Sequence, residues 1–109
     1  MSHRIELSPR VRREMREAVR WWAENHSEEQ SQRWFVAAVR ALRSLRWRAG
    51  RCPVAPEDGI VPFTIYQHTF GLGRRPSHRI VFAMKPDDAV YILTVRHLAR
   101  DELRADDLE

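Results

Sequence analysis

The sequence predicts an α+β fold of order β-α-α-β-β-β, a helical hairpin packed on one face of an antiparallel sheet. Three observations carry this. Two stretches repeat apolar residues at the helical period, each behind a serine suited to cap a helix. Three later stretches are short, apolar and rich in β-branched or aromatic residues. Glycine and proline punctuate the joints. At 109 residues, 43% of them apolar, the chain suffices for one core and not two, so residues 1–109 read as a single domain.

The first element is "HRIELS" (3–8), a short strand with Ile5 and Leu7 on one face. Ser8-Pro9 then starts a helix, serine as N-cap and proline at the first helical position. Val11, Met15, Ala18, Val19 and Trp22 form its apolar stripe, and Asn25-His26 breaks it. Ser27 opens a second helix, with Gln30 three residues on as in a capping box. Trp34, Phe35, Ala38, Ala41, Leu42 and Leu45 form the second stripe, and Gly50 is read as its end. "AGRCPVAPEDGIVP" (49–62) is a loop. The strands are expected at 63–70, 78–84 and 89–97, with "GLGRRPS" and "KPDD" as their connections. The tail "LARDELRADDLE" is polar, either a short terminal helix or frayed.

A four-residue "KPDD" turn predicts that Met84 pairs with Ala89, Phe82 with Tyr91, Ile80 with Leu93 and His78 with Val95. Those bulky residues would share the face that meets the helices. On the opposite, open face, Ser77 stands across from Arg96, and Arg79 is the diagonal neighbour of Arg96. Arg74 and Arg75 join from the adjoining loop, and His97 alternates to the other side. The strand that ends "YILTVRH" thus leaves the core at Val95 and supplies charge to a basic patch able to hold an anion. The alternative is solvated arginines without a role. On either reading Arg79 is exposed, so Arg79→Ala should leave stability nearly unchanged.

Other features bound the function. Of 19 cations against 15 anions, all but Lys85 are arginine, the residue suited to bidentate grip on carboxylates or phosphates. This permits an acidic partner or nucleic acid without choosing between them. The single cysteine, Cys52, forms no internal disulfide, and no zinc spacing exists. With no export signal or membrane-length apolar window, the chain reads as cytoplasmic, with no membrane association. No metal or cofactor is implied, and no small-molecule substrate. Asp87-Asp88 and Asp106-Asp107 read as turn and tail, His68 as a strand-surface residue, and Ser8 and Ser27 as caps rather than nucleophiles. Trp47 lies on the polar side of the second helix, either at a frayed end or as an exposed spot where a partner could sit.

The ordered series "IELSPRVRREMREAVRWW", "ALRSLR", "HRIVFAM" and "VYILTVRHLARDEL" resembles the RelE/ParE superfamily of bacterial type II toxins, from residue 4 to about 108. The resemblance implies a toxin in a toxin–antitoxin (plasmid stabilisation) system, which inhibits growth and is neutralised by a cognate antitoxin in a hetero-oligomer. RNA-cleaving members act on the ribosome as endoribonucleases, and ParE-branch members poison DNA gyrase. Arg79 in "HRIVF" matches the arginine that RNA-cleaving members place on the substrate phosphate. His97 falls at the basic position ending the last strand, with Arg96 beside it. These three are the candidate catalytic residues. Arg74, Arg75, Arg79, Arg96, His97 and Trp47 are the candidate partner-binding residues. "FTIYQHTF" lacks the lysine pair of the best-known nuclease, and no tyrosine or histidine follows His97. A long hairpin also favours the ParE-like inhibitor. The alternatives are a RelE-type endoribonuclease, and a degenerate toxin that only binds its antitoxin.

Overall fold

The computed structural model describes residues 2–100 and 103–108. Strand β1 (Ile5–Leu7) leads into helices α1 (Pro9–Asn25) and α2 (Glu28–Arg48), and strands β2 (Tyr66–Phe70), β3 (His78–Met84) and β4 (Val90–His97) follow. Both serine caps form. Ser8 Oγ accepts the Val11 amide at 3.3 Å, and Ser27 Oγ accepts the Gln30 amide at 3.1 Å. The end of α2 differs from expectation. It tightens into a 3₁₀ turn over Ala49–Arg51, and Gly50 has no positive φ, so it is not a left-handed cap. The described part of the tail holds a 3₁₀ turn, Ala105–Leu108; Asp101, Glu102 and Glu109 lie outside the described residues.

The sheet order is β1-β4-β3-β2. The expected antiparallel sheet is in fact mixed, because β1 runs parallel to β4, with Ile5 opposite Val90 and Leu7 opposite Ile92. The expected register of β3 on β4 is also corrected. Met84 pairs with Val90, Ala83 with Tyr91 and Phe82 with Ile92. The cause is the turn. Asp88 takes φ 65°, and Lys85 N–H reaches Ala89 C=O at 2.8 Å, which makes a three-residue loop with a left-handed last residue. One residue of slip turns every side chain of the strand over. A second irregularity follows, since Val81 pairs with Thr94 and Leu93 is left over as a bulge. The bulge turns the strand over again, so Val95 faces the helices as expected while Leu93 does not.

The helix-side core therefore holds Val11, Met15, Trp34, Leu42, Leu45, Ile80, Phe82, Val90, Ile92 and Val95. The opposite face is not open. Val81, Ala83 and Leu93 pack there against Ala55 and Ile65 of the connection and Leu103 and Leu108 of the tail. The 52–65 segment is held in place by backbone bonds along β2, Ala55 N–H to Ile65 C=O and Gln67 N–H to Pro53 C=O, and by Asp58 Oδ1 accepting the Ile65 amide. At the other joint, Gly71 has no room for a side chain, since a Cβ there would lie 2.9 Å from Arg75 O.

Candidate functional site

The end of β4 carries Arg96 and His97, and the corrected register sets Arg79 of β3 beside Arg96. Arg79 and Arg96 stand directly opposite each other rather than diagonally. Neither is exposed, at 7% and 4% relative accessibility. The anion that Arg79 holds is internal. Its Nη1 donates to Glu57 Oε1 at 2.8 Å and to Gln67 Oε1 at 3.0 Å, and its Nη2 donates to Glu57 Oε2. Glu57 also accepts the Leu103 amide at 3.2 Å, so one carboxylate ties the connection, the sheet and the tail together. The bidentate guanidinium pulls the Glu57 carboxyl down to about 2, against the opposing effect of burial. Arg96 lies 3.7 Å from Asp107 of the tail. Burial, and then the nearby Arg100, lower its pKa.

Glu14 of α1 takes a further place that the sequence did not reveal. β1 pairs with β4 only as far as Ile92, which leaves the next edge groups of β4 unpaired by strand. The Glu14 carboxylate fills the gap, accepting the Thr94 hydroxyl at 2.7–2.8 Å and the Val95 amide at 3.1 Å. Burial raises the Glu14 pKa despite these bonds.

His97 passes to the helix side, as expected from alternation, and meets His78 with ring centroids 5.0 Å apart. The exposed His97 ring accepts the Ala99 amide on Nδ1 at 3.0 Å. His78 is buried beneath it, and Trp34 Nε1–H donates to its Nδ1 at 3.3 Å. Burial, and then the neighbouring His97, lower the His78 pKa to about 4. Arg74 and Arg75 are exposed on the β2–β3 connection. Trp47 is 60% exposed near the end of α2, with the Arg46 guanidinium 5.2 Å from its ring centre. The structure thus brings Arg79 and Arg96 together on one face and His97 onto the other. Glu57, Glu14 and His78 were missed. Only His78 carried a local signal, its place at the start of an apolar strand. Among the described residues, no group of His, Cys, Asp or Glu is placed to hold a metal ion, and no helix is long and apolar enough to cross a membrane.

No protein-family model matches the sequence, and no curated protein matches it. Among solved structures the chain is similar to one described as the chromosomal ParDE TA system from P. aeruginosa. The TM-score is 0.71 at 14% identity, covering 88% of this chain and 96% of that one. At that identity the likeness is one of fold, and the two helices on a four-stranded sheet are a ParE-like α+β fold.

Proposed function

We propose that this chain is the toxin component of a type II toxin–antitoxin system of the ParE-like kind. It arrests growth by binding DNA gyrase and is neutralised by a cognate antitoxin in a hetero-oligomer. The ParE-like fold and the ordered residue series support this reading. The preference for binding over RNA cleavage rests on one observation, the Arg79–Glu57 pair. An arginine that must stabilise a phosphate in flight needs free donors, and here both terminal nitrogens are on Glu57 in a largely buried pair. Attack by a 2′-hydroxyl also needs a base with an available lone pair. The Nδ1 atoms of His78 and His97 are both occupied as acceptors. Exposed Arg74, Arg75 and Trp47 then serve as contact residues for partners.

Expression of the chain alone should slow bacterial growth and raise DNA-damage signalling, and co-expression of the adjacent small reading frame should relieve both. Purified ribosomes with messenger RNA should show no new cuts. Codon-positioned cleavage in that assay would overturn the inhibitor reading in favour of a RelE-type nuclease. Normal growth with folded protein present would leave the degenerate toxin.

A further inference from the structure

Where α1 diverges from the end of β4 lies a groove of about 630 Å³ on the helix side of the sheet. That volume lies within the range of sites that take small ligands. Trp21 and Trp22 of α1, His26 just after it, Trp34 of α2, His78 of β3, and His97 and Arg100 at and beyond the end of β4 line it. The two indoles of α1 meet edge to face with centroids 5.4 Å apart, and Trp21 is 51% exposed. The His26 ring lies against both, with centroids 5.4 Å from Trp21 and 4.7 Å from Trp22, and the half of the Trp21 ring left in water is the surface on which a further planar ring can lie.

Of the three imidazoles that line the groove, those of His78 and His97 have Nδ1 contacts that define a tautomer. An indole N–H only donates, so the His78 Nδ1 that Trp34 reaches is an acceptor, and the Ser77 hydroxyl 2.8 Å away shares that nitrogen. The backbone amide of Ala99 imposes the same on His97. Each ring therefore carries its proton on Nε2. Neither Nε2 has a hydrogen-bond partner among the described residues, although His78 is 7% exposed. Neither nitrogen is among the buried unpartnered side-chain atoms, so each donor is open to the solvent of the groove and free to meet an acceptor there.

The charges divide in the same way. Arg100 is exposed beside the two imidazoles, and Arg96 also lines the groove. Of the two carboxylates there, Glu14 is engaged by Thr94 and Val95, and Glu17 lies on α1 with the indoles. The groove thus presents π-faces at its helix side and N–H donors with guanidinium charge at its strand side. A planar ring joined to an anion rich in acceptor oxygens fits that division. Phosphate can accept from two imidazole N–H groups and a guanidinium at once, and an aromatic base can lie against the indoles.

We propose that this groove binds a nucleotide monophosphate unit, its base against Trp21 and Trp22 and its phosphate against the Nε2–H groups of His78 and His97 and the guanidinium of Arg100. The unit is either a free nucleotide or one residue of a single strand. Arg79 does not line this groove, and the proposal does not depend on the toxin reading.

Isothermal titration of the purified protein tests this with 5′-AMP, adenosine, ribose 5-phosphate and an unphosphorylated tetra-adenylate. AMP should bind saturably, and adenosine and ribose 5-phosphate at least about tenfold more weakly, because each lacks one half of the contacts. His97→Ala, Arg100→Ala and Trp21→Ala should each weaken AMP about tenfold. Their melting temperatures should stay near that of the parent, since all three side chains are exposed. Tetra-adenylate tighter than AMP would identify a single strand as the source, and the reverse order a free nucleotide; both support the site. No saturable binding of AMP or tetra-adenylate would overturn it. So would unchanged AMP affinity in a folded Trp21→Ala, His97→Ala double variant, or a groove that takes a glutamate-rich peptide and ignores AMP.

Discussion

The two faces of the sheet are covered by opposite means. On one, two amphipathic helices with apolar stripes supply Trp34, Leu42 and Leu45 to a continuous core. On the other, irregular segments from residues 52–65 and 103–108 supply Ala55, Ile65, Leu103 and Leu108, a smaller apolar set, and a buried ion pair sits at its edge. The first cover is two helices adjacent in sequence, and its polar contacts to the sheet, Glu14 with Thr94 and Val95 and Trp34 with His78, join a cover that already has a continuous apolar core. The second brings Glu57 to Arg79 and Leu103 across 22 and 46 residues, so one carboxylate aligns the connection with the tail. A buried pair of this kind is a poor source of net stability, but removing one partner strands the other charge.

The largest effect expected is on the helix side. Phe82→Ala removes a fully buried ring and should cost about 3–5 kcal/mol in urea denaturation. Leu93→Ala should also be a core deletion, about 2–5 kcal/mol, although it faces the other way. A loss near zero there would mean that the second cover is peripheral and the comparison false.

Arg79→Ala should come next, at about 3 kcal/mol, by leaving Glu57 without its guanidinium. This reverses the expectation for an exposed arginine. Replacing both partners, Arg79→Met with Glu57→Leu, should recover most of the loss. If the single variant melts like the parent, the pair is not holding the second cover.

Acid should then separate the faces by pH window. Glu57 has its folded pKa lowered from 4.5 to about 2. Its contribution is present above 4.5 and is lost as pH falls from there toward 2, at most about 3 kcal/mol. His78 on the helix side is held neutral, its pKa lowered from 6.5 to about 4. The unfolded chain gains that proton first, so stability also falls between pH 6.5 and 4. Glu57→Gln should flatten only the lower window of a stability–pH curve, and His78→Asn only the upper. A single variant that flattens both would show that the two groups are coupled through the sheet.

The smallest effect is at the hairpin. Ser27→Ala removes one cap bond at an exposed helix start and should cost about 1 kcal/mol, with no change in the acid profile of either face.

What the sequence determined by itself was whatever depends on near neighbours. Ser8 and Ser27 cap helices because the amides that they accept lie three residues away. The apolar stripes of α1 and α2 state which side of each helix is buried, except that Phe35, counted in the second stripe, is 45% exposed, and the alternation of β3 correctly assigned Ile80 and Phe82 to the helix side. Tertiary structure decided the rest. Asp88 in a left-handed conformation and the bulge at Leu93 set the β4 register, and each is a change of one residue that leaves the apolar run of "VYILTV" looking the same. The parallel pairing of β1 followed from where the hairpin returns the chain, not from the three residues of the strand. Arg79 read as an open basic site because its carboxylate lies 22 residues away in a loop. Nothing in the residues around either partner states that the two will meet. A charge looks solvated in sequence and becomes buried only when distant segments close over it, since its burial depends on long-range packing and has no local periodicity to announce it.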